Sequence, residues 1–333
     1  MPELRRDPIV GRWVIIATER ARRPSDVQRT PAPAQPALCP FCPGHEDKTP
    51  REVYVSGRHP SAPPNGPGWK VRVVPNRFPA LKIEGDLDRQ AEGIYDRMNG
   101  IGAHEVIIET PDHGRPLKDL SEADLTDVLF AFKARVLDLR NDTRFRYLLL
   151  FKNHGHLAGA SLEHSHSQLI ALPIVPRQVA EEIEGARRHF EHRERCIFCD
   201  IVGQERKDRV RLVYENEEFV VFAPWAPRSP FETWIVPRRH VSNYEAEPRE
   251  RLALCAQALR TTLRRLAAAL GDPAYNFMVH SNPLREPPSP SYHWHIEIMP
   301  ALTQVAGFEW GSGAHINPVP PEDAAEFLRK VSG

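Results

Sequence analysis

The sequence has no long apolar run and no excess of charge of either sign. None of its hydrophobic stretches approaches the roughly 20 residues that span a bilayer. Its 44 Lys+Arg residues are balanced by 44 Asp+Glu residues, and its first residues, MPELRR, lack the pattern of a secretory signal. These absences argue against a membrane protein and against recruitment by nucleic acid, and they predict a cytoplasmic protein.

Cysteine is scarce and unevenly distributed. Four of the five cysteines form two Cys-x-x-Cys pairs, at 39–42 and 196–199, and Cys255 lies alone on an apolar helical stripe. Disulfides are rare in a reducing cytosol, whereas such pairs followed by histidines are typical of tetrahedral zinc sites. A redox pair and reduced core cysteines are the alternatives.

An ordered pattern of residues occurs twice, which predicts two copies of one structural unit. Each copy opens with the cysteine pair, continues to a Glu eight residues before a His, and closes with an Asn eleven residues before a His-x-His pair. The first copy contains Glu105, His113, Asn153, His164 and His166, and the second contains Glu232, His240, Asn282, His293 and His295. We expect the two units to occupy residues 1–175 and 176–333.

The matched cysteines and histidines predict one or two structural zinc sites, because two thiolates from a tight turn and two imidazoles complete a tetrahedral shell. The first site would use Cys39, Cys42, His113 and His164, and the second Cys196, Cys199, His240 and His293. His104 competes with His113, but its position falls outside the repeat.

Hydrophobic periodicity predicts an α+β fold in which each half has strands, one long helix, another strand and a final His-bearing strand. The predicted helices are 120–141, 248–270 and 320–331. The predicted strands are 69–75, 104–110, 146–152, 166–172, 219–223, 232–237, 275–280 and 293–299. Residues 181–195 are strongly charged and predict a solvated surface helix.

A strand over 166–172 would place His166 and Gln168 on one face. If His164 binds metal, His166 keeps a free ring nitrogen that can attack phosphorus when its other nitrogen is held by a backbone carbonyl. Gln168 could donate its amide to a phosphate oxygen, and the small residues of 155–161 would let backbone N–H groups approach the phosphate. The alternative is that His166 only packs or supports zinc.

The second copy departs from this pattern. Prolines at 287, 288 and 290 stand where the first copy has small residues, and Glu297 replaces Gln168. A carboxylate at that position would repel a phosphate. We therefore expect the second copy to be non-catalytic, although His295 occupies the position of His166.

These residues resemble those of the galactose-1-phosphate uridylyltransferases, a branch of the histidine-triad superfamily. The resemblance covers nearly the whole chain and rests on GASLEHSHSQ at 159–168, RRDPIVGRW at 5–13, RARRP at 20–24, VPNRFPAL at 74–81 and GFE at 307–309. It implies two tandem histidine-triad-like units, each an antiparallel half-barrel sheet with a long helix, stabilised by zinc.

The resemblance also implies an activity and a binding site. His166 would be the nucleophile of a ping-pong uridylyl transfer between UDP-glucose and a hexose 1-phosphate, with Gln168 supporting the transferred group. The nucleotide diphosphate site would be lined by Arg20, Arg23, Asn76, Phe78, Asn153, Gly159 and Ser161. Phe78 in ordinary core and the two arginines in a solvated basic run are the alternatives. A homodimer is also expected from the family.

Two departures from the family pattern leave the nucleobase and the acceptor open. Ser165 and Ser167 stand where the uridylyltransferase strand His-Pro-His-Gly-Gln has Pro and Gly. The second Cys-x-x-Cys pair and the tail at 311–318 resemble the ADP-glucose phosphorylase branch, whose members transfer AMP to phosphate through a similar nucleotidyl-histidine. Dinucleoside-polyphosphate phosphorylase, a histidine-triad hydrolase and a zinc-stabilised binding module without turnover are further alternatives.

Overall fold

The computed structural model describes residues 3–6, 13–16 and 38–331. The strands of this part are β1 (Glu3–Arg6), β2 (Trp13–Ile16), β3 (Tyr54–Ser56), β4 (Val71–Pro75), β5 (Gln90–Glu92), β6 (Tyr95–Asn99), β7 (Ala103–Ile108), β8 (Tyr147–His154), β9 (His166–Leu172), β10 (Leu212–Glu215), β11 (Phe219–Phe222), β12 (Thr233–Pro237), β13 (Tyr275–His280) and β14 (His295–Pro300). Its helices are α1 (Glu122–Leu139), α2 (Arg177–Arg193), α3 (Ile197–Asp208), α4 (Arg249–Leu270), α5 (Gly307–Ser312) and α6 (Pro321–Lys330).

Ten of these strands form one antiparallel sheet in the order β10-β11-β12-β14-β13-β8-β9-β7-β4-β3. Counted outward from the centre, β8, β9, β7, β4 and β3 follow the same succession as β13, β14, β12, β11 and β10. The halves meet where β8 pairs with β13, with Asn153 opposite Asn276. The predicted α+β class and antiparallel pairing are therefore confirmed, but the two expected sheets are joined into one.

The two long helices begin and end at the residues that local chemistry favours. Ser121 caps α1, because its side chain accepts a hydrogen bond from the N–H of Asp124 at 3.1 Å. Gly271, with φ of +72°, ends α4 in the left-handed conformation that glycine adopts without strain. Both helices lie within two residues of their predicted bounds.

Helices α1 and α4 pack together against one face of the large sheet. The core that they share includes Phe132 of α1, Leu259 of α4 and Leu169 of β9. Cys255 is fully buried in this core, as predicted. Because side chains alternate along a strand, His166 and Gln168 project to the opposite face of the sheet from Leu169.

Several elements are absent from the predictions. Strands β2, β1, β6 and β5 form a small four-stranded sheet, and α3 begins at the second cysteine pair, with Cys196 as its N-cap. The second pair therefore lies in the first turn of a helix, whereas the first pair forms an isolated turn, in which the N–H of Cys42 donates to Cys39 O at 3.3 Å. Within the described residues, no helix combines the length and the apolar character needed to cross a membrane.

Candidate active site

The first predicted metal group comes together between the 39–42 turn, the loop after β7 and the segment that leads into β9. His164 Nδ1 lies 3.6 Å from Cys39 Sγ and 3.6 Å from Cys42 Sγ, and His113 Nδ1 lies 3.4 Å from Cys42 Sγ. In a tetrahedral zinc site, bonds of about 2.3 Å to sulfur and about 2.05 Å to nitrogen put these atoms about 3.6 Å apart. The spacing of the four residues therefore fits a zinc ion.

The surroundings of this group also favour a cation. His164 Nε2 donates to Thr110 O at 2.7 Å, which leaves Nδ1 as the ligand atom. The N–H of Phe41 donates to Cys39 Sγ at 3.4 Å. Burial, followed by the nearby Cys39 thiolate, raises the pKa of Cys42 to about 11. A divalent cation would offset both effects, because it stabilises the deprotonated thiol.

The second predicted group assembles in the same way. Cys199 Sγ lies 3.5 Å from His240 Nδ1 and 3.6 Å from His293 Nδ1, and the ligand atoms of Cys196, Cys199 and the two histidines all lie within 4.8 Å of one another. His240 Nε2 donates to Ser289 O at 3.0 Å. Both predicted Cys/His groups can therefore accommodate a metal ion.

His166 belongs to neither group, and its ring is held in one tautomer. Its Nδ1 donates to His164 O at 2.8 Å, so the neutral ring keeps an unprotonated Nε2. Burial, and then the charge of Lys152, lowers the pKa of His166 to about 4, so the ring is neutral near pH 7. Among the described residues, no hydrogen bond is made to Nε2. A nucleophilic nitrogen is thus available on the face of the sheet opposite α1 and α4.

Gln168 lies two residues further along the same face and contacts His104 of β7. Gln168 Oε1 is 3.0 Å from His104 Nε2, and His104 Nδ1 accepts a hydrogen bond from the N–H of Ala80 at 3.0 Å. His104 is absent from both Cys/His groups. It therefore does not replace His113 as a metal ligand.

A cavity of about 570 Å³ opens on this face of the sheet. Its lining includes His166, Gln168 and the predicted substrate residues Asn76, Phe78, Asn153, Gly159 and Ser161. Phe78 is 44% exposed, so it is not ordinary core. An adjoining cavity of about 270 Å³ shares Asn153, Ser161 and His166. Arg20 and Arg23 lie outside the described residues.

The loop between β8 and β9 offers fewer backbone donors than its sequence suggests. The N–H groups of Ala158, Gly159 and Ala160 donate to carbonyls within the loop, at 3.2, 2.9 and 3.1 Å. Gly155 has φ of +79°, and a Cβ there would lie 2.8 Å from Ala274 Cβ. This glycine is therefore required by a turn and by close packing, and the N–H groups of the three residues named above are already bonded within the loop.

Asn153 is oriented by the second half of the chain. Asn276 Nδ2 donates to Asn153 Oδ1 and to Ala158 O, both at 2.8 Å. Because a backbone carbonyl can only accept a hydrogen bond, the atom of Asn276 that faces Ala158 O must be the amide nitrogen. Asn153 must therefore direct its side-chain oxygen toward Asn276 Nδ2. The Asn153 amide nitrogen then faces Gly159 and the cavity.

A buried ion pair lies beneath His166, on the helix side of the sheet. Lys152 Nζ donates to Glu109 Oε2 at 2.6 Å and to His166 O at 3.0 Å. The hydroxyls of Ser165 and Ser167 also donate to Glu109. The Lys152 and Glu109 side chains are only 1% and 0% exposed. The two serines thus have a structural explanation, since they complete the hydrogen bonds of a buried carboxylate.

We expect Lys152→Met to lower the free energy of unfolding by about 3–5 kcal/mol, because Glu109 is left as an unpaired buried charge. The double variant Lys152→Met/Glu109→Gln should recover most of this loss, since its carboxamide can still bond the serines. Urea denaturation measures both values, with Lys207→Met, an exposed lysine of α3, as the control. A single variant as stable as the double variant would contradict the ion pair's role.

His295, the counterpart of His166, is sealed inside the second half. It is 0% exposed and stacks between Trp234 and His280, with ring centroids 5.0 Å away on each side. Its Nδ1 donates to His293 O at 3.1 Å, which repeats the backbone hydrogen bond made by His166 Nδ1. The ring is therefore closed to solvent in the described structure.

A third group of metal-ligating side chains was not predicted. Ligand atoms of Glu182, His280 and His295 lie within 4.8 Å of one another and could also hold a cation. Glu182 comes from α2, and its Oε1 accepts a hydrogen bond from the Tyr292 hydroxyl at 2.9 Å. The expectation that this charged helix is only a solvated surface is therefore wrong at Glu182. Val179, which is buried, lies one helical turn before Glu182. An apolar residue at that spacing was the sequence signal that Glu182 faces the protein interior.

Comparisons with known proteins place the chain among sugar-nucleotide enzymes. The family model described as "Galactose-1-phosphate uridyl transferase, N-terminal domain" matches residues 1–176, and that of a domain of unknown function (DUF4921) matches 120–331. ADP-glucose phosphorylase of Arabidopsis thaliana is 38% identical over 99% of this chain and 93% of its own length. Galactose-1-phosphate uridylyltransferase of Thermotoga maritima is 28% identical over 99% of both chains.

A solved structure extends the similarity to the fold. The crystal structure of the ADP-glucose phosphorylase from Arabidopsis thaliana with bound ADP-glucose has a TM-score of 0.80 and 37% sequence identity. The match covers 100% of this chain and 99% of that one. The mixed α/β architecture with one large antiparallel sheet is therefore shared across the whole length.

Proposed function

The chain belongs to the galactose-1-phosphate uridyl transferase family, and from this premise we propose that it transfers a nucleotidyl group from a nucleoside diphosphate sugar through a covalent bond to His166. The observation that carries the proposal is the ring of His166, whose Nδ1 bonds His164 O and whose Nε2 is left without a partner in the described structure. Such a ring, at the wall of a cavity, has the tautomer that a nitrogen nucleophile needs.

The reaction has two displacements. In the first, the lone pair of His166 Nε2 attacks the α-phosphorus, an N–P bond forms, and the sugar 1-phosphate leaves with the electron pair of the broken P–O bond. In the second, an oxygen of an acceptor phosphate attacks the same phosphorus, the N–P bond breaks and the neutral imidazole is restored. Gln168 supports both steps by donating its amide to a phosphoryl oxygen.

Two donor and acceptor pairs are supported by different observations. The family description and the Thermotoga maritima relative support uridylyl transfer between UDP-glucose and a hexose 1-phosphate. The 38% identical relative and the assembly of a second complete Cys/His group support ADP-glucose with inorganic phosphate. Both pairs use the same nucleotidyl-histidine, so the proposal for His166 does not depend on which is correct.

Zinc is proposed for the two Cys/His groups, in a structural role. Zinc in the first group would bind Nδ1 of His164 and so hold the carbonyl that His166 bonds. We further propose that 1–175 and 176–333 are tandem histidine-triad-like units and that the chain forms a homodimer. The shared strand succession from β8 and from β13 supports the first of these proposals.

Intact-mass spectrometry of the protein after mixing with UDP-glucose or ADP-glucose tests the proposed function. We expect a nucleotidyl adduct from one donor, mapped to the peptide that contains His166, because the phosphoramidate accumulates when no acceptor is present. A uridylyl adduct removed by hexose 1-phosphate identifies the first pair, and an adenylyl adduct removed by phosphate identifies the second. No adduct with either donor, or an adduct on another peptide, would contradict the proposal.

A further inference from the structure

We infer that His104 is a positioning residue that orients Gln168, so that the amide N–H₂ of Gln168, and not its oxygen, faces the cavity beside His166. The inference rests on the proposed function, since it explains how the site presents a donor to the transferred phosphoryl group. It assigns a role to a histidine that neither binds metal nor touches the reacting atoms.

A backbone N–H group determines which ring nitrogen of His104 carries the hydrogen. The N–H of Ala80 donates to His104 Nδ1 at 3.0 Å, and a backbone N–H cannot reverse its role. His104 Nδ1 must therefore carry a lone pair. In a neutral imidazole the other nitrogen then carries the hydrogen, so His104 Nε2 is a donor.

The contact with His104 sets the direction of the Gln168 amide. The atom of Gln168 that faces His104 Nε2, at 3.0 Å, is Oε1. If the amide were reversed, Gln168 and Asn76 would both direct an N–H₂ group at the N–H of His104, and neither amide would accept its hydrogen. The hydrogen bond therefore selects the arrangement in which Gln168 Nε2 points away from His104.

The amide of Asn76 does not compete for this interaction. Asn76 Nδ2 lies 3.1 Å from His104 Nε2, but Asn76 Oδ1 accepts a hydrogen bond from the N–H of Phe78 at 2.9 Å. This second bond keeps the hydrogens of Asn76 on the His104 side. Because Ala80 fixes His104 Nε2 as a donor, the contact with Asn76 Nδ2 is an unfavourable one and not a hydrogen bond. Asn76 therefore offers the ring hydrogen no acceptor, whereas Gln168 Oε1 does.

This orientation directs the amide hydrogens of Gln168 into the cavity. Gln168 and His166 both line it, and no hydrogen bond to Gln168 Nε2 is made by the described residues. An amide hydrogen in that position can bond a non-bridging oxygen as negative charge develops on the phosphoryl group. The reversed amide would instead place a carbonyl oxygen against that charge and oppose the reaction.

A double-mutant cycle separates this role from a structural one. We expect His104→Leu to slow adduct formation by roughly 10-fold, since Gln168 then loses the partner that selects its donor face. His104→Gln keeps a donor near Gln168 and should remain within about 3-fold of the wild-type rate. In a Gln168→Leu background, His104→Leu should change the rate by less than about 2-fold, because there is no amide left to orient.

The rates are measured in single turnovers with whichever nucleotide sugar labels the wild-type protein. Effects of His104→Leu and Gln168→Leu that simply add would overturn the inference while leaving the nucleotidyl-histidine intact. The His104→Gln variant keeps the cycle informative if the leucine variant fails to fold. A wild-type protein that forms no adduct would overturn the proposed function instead.

The tautomer itself is tested without turnover. Two-bond ¹H–¹⁵N correlation spectra of histidine-labelled protein distinguish protonated from unprotonated ring nitrogens, and His104→Gln identifies the resonance. We expect an unprotonated Nδ1 and a protonated Nε2 near pH 7. A protonated Nδ1 would overturn the inference whether or not the enzyme turns over.

Discussion

Replacing His166 with alanine is expected to abolish the nucleotidyl adduct and to lower turnover by about 10⁴- to 10⁶-fold, as losing a nucleophile does in other covalent enzymes. The loss should be this large because the proposed mechanism makes Nε2 of His166 the atom that bonds to phosphorus, and its sealed counterpart His295, at 0% exposed, cannot substitute for it. Intact-mass spectrometry reports the adduct, and steady-state assays with both donors report turnover.

Two controls make this result specific. His166 is in neither Cys/His group, so zinc content and the thermal midpoint of the alanine variant should match those of the wild type. His192→Ala removes an exposed histidine of α2 and should leave adduct formation unchanged. If the His166 variant still formed the adduct, another residue would be the nucleophile and the proposed mechanism would be wrong.

Loss of the first metal group is expected to have the largest effect on stability. Structural zinc contributes roughly 10–16 kcal/mol of apparent binding free energy in zinc-finger peptides, and most of this is lost with a ligand. We therefore expect Cys42→Ser to remove one equivalent of zinc and to yield protein that unfolds at a much lower temperature or is insoluble. Elemental analysis and thermal denaturation measure the two effects.

Two other cysteine variants, one outside both Cys/His groups and one inside the second group, serve as controls. Cys255→Ala removes a buried thiol that belongs to neither Cys/His group and should keep the full zinc content. Cys199→Ser should remove the metal of the second group alone. Equal zinc content in the Cys42→Ser and wild-type proteins would exclude the proposed first site.

Elements with strong periodicity are the ones that sequence predicts correctly. The apolar stripe of α1, which includes Leu125, Val128 and Phe132, allows few other interpretations, and a cap at Ser121 marks its start. Strand β5, Gln90–Glu92, has no such signal, because all three of its residues are exposed. It pairs with β6 in a hairpin whose turn includes Gly93, at φ of +62°.

The assembly of the two Cys/His groups could be predicted because their residues recur at fixed spacing. The contacts around Gln168 could not, since they depend on strand register: His104 and Gln168 become neighbours only because β7 pairs with β9 so that Val106 faces Gln168. Glu182 was misread for a related reason. A carboxylate on a charged helix resembles a solvated one until the packing of that helix is known.

The hydrogen bond from Asn276 to Asn153 bears on how such a chain can evolve. If the two halves arose by internal duplication, as proposed, the second half still supplies the neighbouring strand and an orienting amide to the half that contains His166. We therefore expect relatives shortened to a single unit to recruit another chain along β8, because that strand would otherwise become an open edge.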